Sequence, residues 1–251
     1  MGIDDDIHDR QKRVAGWNQE KIAGAKVCLI GAGALGNEVA KNLLQLGVCQ
    51  LTVVDFDTVV KANLNRCLFF TQSDAENKVL KAEALARAAK KLNLSAIVTP
   101  VIKNVETLDD KFFSDFDAVF GCLDNLGARL HVNANCYGKV ALIDGGTSGF
   151  LGKLQVVQAP AACLECGLSK QDYGLLWKKY SCVGEMLDIL DPKMPALPTT
   201  TSIIAGMQVN EFIKLILKTG TTLAGKYAFY NGLSGQTNVF TIEKRSNCPV
   251  H

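Results

Sequence analysis

Lys26-Val27-Cys28-Leu29-Ile30-Gly31-Ala32-Gly33-Ala34-Leu35-Gly36 is the stretch that decides the fold. Its first five residues form a short apolar run closed by glycine, the pattern of a strand buried on both faces of a parallel sheet. The next six spell GxGxxG. Apolar residues then recur at helical spacing through Asn37–Leu46 (Val39, Ala40, Leu43, Leu44), until Gly47 ends the helix. Between a strand and a helix, such glycines permit a tight turn and let backbone N–H groups approach a phosphate, whose charge the helix N-terminus favours. A second strand, Leu51–Val54, closes at Asp55, 19 residues past Gly36. A carboxylate there can accept hydrogen bonds from ribose hydroxyls. Motif and spacing do not separate NAD from ATP, and on frequency they favour NAD.

Outward from this unit the alternation continues. Lys81–Leu92 is alanine-rich and helical, Ile97–Ile102 and Ala118–Gly121 read as strands, and Asn125–Tyr137 reads as a helix leading to a strand at Ala141–Ile143. Strands alternating with helices imply right-handed βαβ units and an open, mostly parallel sheet. From Gly149 the texture changes. Gly152–Gln158 and Tyr227–Glu243 look like antiparallel strands, and Ile203–Lys218 is one more amphipathic helix. The expected fold class is α/β: a Rossmann-like, doubly wound, mostly parallel sheet with antiparallel C-terminal strands. The expected layout is one domain over 1–251, with an N-terminal arm at 1–25, a nucleotide-binding half at 26–148 and an elaborated half at 149–251.

Composition bounds the function. The chain has 251 residues, 48% hydrophobic and 21% charged, enough to bury a sizeable core and unlike a disordered or coiled-coil sequence. With 27 Lys+Arg against 25 Asp+Glu the net charge is +2, too weak a field to make nucleic acid the main partner. No apolar run approaches the roughly 20 residues needed to span a bilayer, and the opening residues lack an apolar signal core. The expectation is a cytoplasmic protein without membrane partners. Nine cysteines, an odd number, do not suggest a disulfide framework. Cys28, Cys49, Cys122 and Cys136 lie in apolar or strand-like contexts and read as small buried hydrophobes. Cys163-Leu164-Glu165-Cys166 has the spacing of two ligands of tetrahedral Zn²⁺, or equally of a redox pair. Cys248-Pro249-Val250-His251 offers a cysteine and a histidine at the same spacing.

Charged residues gather at the predicted strand ends: Asp55-Phe56-Asp57, then Asn63-Leu64-Asn65-Arg66, Lys81-Ala82-Glu83, and Cys122-Leu123-Asp124-Asn125. Taken singly, each reads as a solvated surface charge. Together, two cations and a carboxylate at one sheet edge suit a triphosphate with Mg²⁺, which prefers oxygen ligands, better than a nicotinamide. A dehydrogenase also needs an acid/base for hydride chemistry. The three histidines, His8, His131 and His251, lie away from the predicted strand ends.

With these blocks in order the chain resembles the ThiF/MoeB and ubiquitin-activating superfamily, whose members adenylate the C-terminal carboxylate of a ubiquitin-fold protein. The resemblance runs from Asp9 to His251. It is carried by Asp9-Arg10-Gln11 with Gly16-Trp17, GAGALG, DFDT, NLNR, KAEA, CLDN with Arg129, the IDGGTSGF block from Ile143 to Phe150, CLEC and CPVH. It implies that Gly31, Gly33 and Gly36 approach the nucleotide phosphates and that Asp55 holds the ribose. It further implies that Asn63, Arg66 and Lys81 bind phosphates, that Asp124 holds Mg²⁺, and that Asp57 and Asn125 line the same site. Arg10 is similar to the family's arginine finger, which reaches into the nucleotide of a partner subunit. The loop after Arg66 is about two residues longer than the family pattern, which leaves Lys78 as a rival to Lys81. The family carries a second CxxC where this chain has Cys248 and His251. The implied structural zinc set is therefore Cys163, Cys166, Cys248 and His251.

Cys182, in the polar stretch Lys179-Tyr180-Ser181-Cys182-Val183-Gly184, stands about where ubiquitin-activating relatives carry the cysteine that accepts the modifier as a thioester. Thiolate attack on an acyl-adenylate is easy, because AMP leaves well and sulfur is strongly nucleophilic. Two prolines flank an expected crossover loop within Gly184–Pro198. The domain that larger relatives insert after this cysteine, and their C-terminal ubiquitin-like domain, are not expected in this chain. The resemblance therefore implies an ATP-dependent activating enzyme for a ubiquitin-like protein ending in Gly-Gly, working as a homodimer, with an E2-like conjugating enzyme as a possible onward partner. The alternative is a sulfur-carrier adenylyltransferase of the MoeB/ThiF type, for molybdopterin or thiamine synthesis, without an enzyme thioester. An NAD-dependent oxidoreductase and a non-catalytic scaffold subunit are the remote readings.

Overall fold

The computed structural model describes residues 6–169 and 195–251. Eight strands form one sheet: β1 (Lys26–Ile30), β2 (Gln50–Val54), β3 (Ile97–Val101), β4 (Ala118–Gly121), β5 (Ala141–Ser148), β6 (Leu151–Val157), β7 (Lys226–Asn231) and β8 (Gln236–Thr241), in spatial order 3-2-1-4-5-6-7-8. β1 pairs in parallel with β2 and β4, as do β2 with β3 and β4 with β5, whereas β5 through β8 run antiparallel. The helices are α1 (Asp9–Lys12), α2 (Gln19–Gly24), α3 (Ala34–Gln45), α4 (Gln72–Glu76), α5 (Lys81–Ala89), α6 (Asp110–Phe113), α7 (Leu126–Cys136) and α8 (Pro198–Leu217). The expected fold class is the one observed.

The core has two parts, one on each face of the sheet. Val27, Leu29, Val53 and Phe120 pack against α3, α5 and α8. Cys28, Ile30, Val119 and Leu142 pack against Val132 and Cys136 of α7 and against the CxxC loop. β1 is buried from Val27 to Ile30, which explains its unbroken apolar run. Of the cysteines read as buried, Cys28 and Cys136 are fully so, while Cys49 and Cys122 are only half-buried near strand ends. Cys67 joins the buried set. No helix among the described residues is long and apolar enough to cross a membrane.

Element ends differ from the expectations where tertiary contacts override local pattern. α5 stops at Ala89 rather than Leu92, and α8 begins at Pro198, whose missing N–H suits a first helical turn. Tyr227–Glu243 resolves into the hairpin β7–β8. The largest difference is β5, which runs to Ser148 through Gly145 and Gly146 instead of ending at Ile143. Glycine weakens a strand unless something must come close. Here α8 does. A Cβ on Gly145 would lie 2.6 Å from the Gln208 amide, and one on Gly152 of β6 would collide with Ile204. Gln208, fully buried, donates Nε2 to the carbonyls of Gly121 (3.2 Å) and Ile143 (2.9 Å), tying the ends of β4 and β5 together. Gly145→Ala should therefore displace Gln208 and cost about 2–4 kcal/mol by overpacking and lost hydrogen bonds. Urea denaturation of the variant beside Gly206→Ala, a helical glycine with nothing within 4 Å of its Cβ position, separates this effect from generic glycine replacement.

Candidate nucleotide site and metal centre

The strand order reverses between β1 and β4, and the loops following these strands meet there, the usual place for a ligand in an open α/β sheet. Gly31 has φ +95°, its N–H bonds the Val54 carbonyl at 2.9 Å, and a Cβ on it would lie 2.6 Å from the Cys122 carbonyl oxygen. A Cβ on Gly36 would collide with the Gly31 carbonyl. Gly33, the N-cap of α3, has nothing within 4 Å of its Cβ position. Two glycines are thus required by the protein itself, and the third leaves room over the N-terminus of a 12-residue helix.

Asp55 closes the loop. Its Oδ2 accepts the Ala32 N–H at 2.7 Å and its Oδ1 the Asp57 N–H at 2.8 Å. Burial raises its pKa above the ordinary carboxylate value, and Lys81 and those two N–H groups oppose the rise. Lys81 pairs with Asp57, Nζ to Oδ2 at 2.6 Å, and its own N–H meets the Asp57 carbonyl. Its rival Lys78 is exposed, with φ +49°. Lys81 thus stands against the Asp55–Asp57 loop at the end of β2. Arg66 folds onto its own turn, bonding the Ala62 carbonyl and Asn65 Oδ1. Asn63 Oδ1 accepts the Val60 N–H at 3.0 Å. Burial pushes the Cys67 thiol up to about 11, while the Arg66 and Lys81 charges pull it down.

Asp124 and Asn125 lie across the crevice, after β4. Asn125 Oδ1 caps α7, accepting from Gly127 (2.8 Å) and Ala128 (3.3 Å). Asp124 is exposed at the edge of a cleft of about 290 Å³ that Arg129, Gly146, Thr147, Ser148 and Lys153 help to line. Arg129 and Asp144, quoted above without a role of their own for Asp144, form a buried pair here. Arg129 Nε and Nη2 go to the two carboxylate oxygens, and Asp144 raises the guanidinium pKa further. Nη1 remains beside Gly146, at 3.2 Å from its Cβ position. An arginine one helical turn beyond a capping asparagine was the available sequence signal.

At the N-terminus, Gln11 and Gln19 both donate to the Leu46 carbonyl at 2.9 Å, and Trp17 Nε1 bonds Gln19 at 3.0 Å. This latch fixes α1 to the end of α3, and the Arg10 side chain stands 74% exposed beside Asp9. Cys182 lies outside the described residues.

The cysteine pairs do come together. Cys163 Sγ lies 3.9 Å from Cys166 Sγ and 3.6 Å from Cys248 Sγ, and Cys166 Sγ lies 3.3 Å from His251 Nε2. All four ligand atoms fall within 4.8 Å of one another. Zn–S bonds of about 2.3 Å put tetrahedral sulfurs about 3.8 Å apart, so the donor set fits Zn²⁺. Burial raises Cys163 to about 11, with the Asn133 amide pulling down, so a metal is what would keep it a thiolate. Desolvation and Lys244 lower His251, favouring the neutral ligand form. Tyr137 stacks on the His251 ring at 4.7 Å and limits fraying of this terminal residue.

Residues 8–250 match the ThiF family. The chain belongs to that family. It is similar to SUMO-activating enzyme subunit 2 of Dictyostelium discoideum, 34% identical over 151 residues, covering 59% of this chain and 22% of that one. It is also similar to the molybdopterin-synthase adenylyltransferase of Salmonella typhimurium, 29% identical over 97% of this chain and 94% of the relative. In fold it matches a crystal structure of Escherichia coli MccB with AMPCPP and MccA, with a TM-score of 0.78 at 19% identity over 98% of this chain and 74% of that one. The chain thus spans about a fifth of the Dictyostelium relative's length.

The three loop glycines make a direct test. Gly33→Ala should keep stability within about 0.5 kcal/mol, since its methyl meets only open space, while weakening ATP binding at least tenfold. Gly36→Ala should unfold at markedly lower denaturant. Titration calorimetry and urea melts read the two effects separately, and equal ATP affinity in Gly33→Ala would remove the phosphate from the loop.

Proposed function

We propose that this ThiF-family protein is an ATP-dependent adenylyltransferase that activates the C-terminal carboxylate of a ubiquitin-like protein. The observation that carries the reading is the run of contacts from the glycine turn through Asp55 and Asp57 to Lys81, with open space at the Gly33 Cβ position and a cleft edged by Asp124 nearby. The family relatives that act on SUMO and on molybdopterin synthase support the same reaction class.

In this reading the tail carboxylate attacks the α-phosphorus of ATP and pyrophosphate leaves. The attacking group is already ionised at pH 7, so the protein needs no general base. Its task is electrostatic. Asp57 holds the Lys81 ammonium in place before substrate arrives, Arg66 supplies a second cation, and the N–H groups at the start of α3 meet the phosphates. Asp55 holds the ribose. Asp124 would hold Mg²⁺, which supplies further charge neutralisation between phosphates. Arg129, pinned by Asp144, brings positive charge to the cleft through which a carboxylate would arrive. Arg10, carried outward by the N-terminal latch, would serve the nucleotide of a second copy in a homodimer.

A protein substrate is supported by the sheet beyond the cleft. Leu151 and Lys153 on β6, Tyr227 and Phe229 on β7 and Phe240 on β8 share the face opposite α8, by the alternation of the strands and their register. Leu151 and Phe240 are 40% and 45% exposed, and Tyr227 and Phe240 stack at 5.0 Å. Exposed aromatic residues rimmed by polar ones mark protein interaction surfaces. Cys182 is the candidate thioester cysteine, with an E2-like enzyme as onward acceptor. The end-to-end match to the Salmonella adenylyltransferase favours the second reading, in which the acyl-adenylate is passed to sulfur chemistry and no enzyme thioester forms.

Modifier-dependent ATP–pyrophosphate exchange tests the reaction, with small β-grasp proteins ending in Gly-Gly as substrates. Lys81→Ala should lower exchange about 10²–10³-fold, while Lys78→Ala leaves it unchanged. Exchange that stays silent with every such protein would exclude the reading. Mass spectrometry after incubation with modifier and ATP separates the two fates: a reductant-labile adduct absent in Cys182→Ala marks the thioester, and adenylate alone marks the sulfur carrier.

A further inference from the structure

Two buried amides bracket a single peptide group of the CxxC loop. Gln155, 1% exposed on β6, donates Nε2 to the Cys163 carbonyl at 3.1 Å, and Asn133, fully buried on α7, accepts the Leu164 N–H on Oδ1 at 2.9 Å. That carbonyl and that N–H belong to the same Cys163–Leu164 peptide, so it is held from the sheet and from the helix at once. Because the Leu164 N–H needs an acceptor, the Asn133 amide has one orientation, with Oδ1 on the loop and Nδ2 as the remaining donor. Nδ2 is buried and makes no hydrogen bond among the described residues. An unmet donor of this kind costs about 1–3 kcal/mol. The bond from the Leu164 N–H holds this amide against the residue next to Cys163. A neutral thiol accepts weakly, whereas a metal-bound thiolate accepts a charge-assisted bond.

We propose that Asn133 Nδ2 donates a hydrogen bond to the metal-bound Cys163 thiolate, making α7 the outer support of the Cys163–Cys166–Cys248–His251 centre. Groups of this kind orient ligands and tune the metal, and losing one typically weakens metal binding 10–100-fold. Asn133 is a positioning residue for the centre. Tyr137, one turn further along α7, supports the opposite ligand by stacking on His251. The proposal rests on the metal assignment and not on adenylation, so each can fail without the other.

Cadmium-113 and cobalt(II) are the probes. In the ¹⁵N-labelled, cadmium-113-loaded full chain, a scalar coupling should connect the metal to one side-chain amide proton of Asn133. Asn133→Asp keeps an acceptor for the Leu164 N–H and deletes the donor. It should raise the cobalt dissociation constant about 10–100-fold and shift the sulfur-to-cobalt charge-transfer band. Absence of coupling to any asparagine side chain overturns the proposal. So does unchanged cobalt affinity with an unchanged band in the variant, or failure of the unsubstituted chain to take up either metal. Should Asn133→Asp not fold, the cadmium coupling in the unsubstituted chain decides alone.

Discussion

The approach of two backbones at the β1–β4 crevice is the constraint on which the rest of the molecule depends. The turn after β1 passes so close to Cys122 and to the start of α3 that neither Gly31 nor Gly36 has room for a side chain. Because the turn is tight, α3 begins directly over the crevice, and its N–H groups open toward Gly33. Because α3 begins there, Asp55 at the end of β2 reaches the Ala32 N–H and locks the loop. Each further group is placed by the one before it: Asp57 by Asp55, and Lys81 by Asp57. A lysine so held has lost much of its rotamer freedom before any ligand arrives, and preorganised charge is what electrostatic catalysis requires.

A second chain of dependence runs along α7. Asn125 and Tyr137 cap the two ends of α7, and Arg129 and Asn133 lie between them, each one turn from the next. Asn125 caps the first turn, Arg129 holds Asp144 at the end of the parallel sheet, Asn133 holds the CxxC loop and Tyr137 stacks on His251. One helix and its two caps thus connect the loop bearing Asp124 to the cysteine–histidine cluster. Rigid elements, unlike loops, carry such placement over several turns without accumulating error.

Much of this was legible in the sequence, for identifiable reasons. β1, α3 and Asp55 follow from local pattern, because a buried parallel strand, a glycine turn and a helical stripe each have a short-range signature. The cysteine–histidine cluster was legible because ligand spacing is itself a local signal. The run of β5 through Gly145 and Gly146 was not, since Gly145 answers to Gln208 more than sixty residues away and Gly146 to Arg129 on another element. The role of Asp144 was hidden because its partner Arg129, 15 residues earlier, lies on another element. Lys81 over Lys78 was favoured by its local context, but its placement depends on the Asp57 carboxylate, a contact across 24 residues.

The antiparallel half answers a different physical demand from the parallel half. A parallel sheet is covered on both faces by its crossover helices, which leaves only its C-terminal edge for chemistry on small ligands. Antiparallel strands can keep one face uncovered. β7, β8 and the Leu151–Lys153 end of β6 do so on the side away from α8, whereas Gln155 and Val157 of β6 lie buried beneath the CxxC loop. The switch occurs within β5, which pairs in parallel with β4 up to Asp144 and antiparallel with β6 from Ser148 back to Leu142. Asp144 and Arg129 stand at that junction, with the cleft in front of them. In the proposed reaction a large substrate carboxylate meets a nucleotide, and both kinds of surface then share one strand. The Arg129–Asp144 pair sits where they do, and removing Arg129 would leave the Asp144 carboxylate unpaired in the interior.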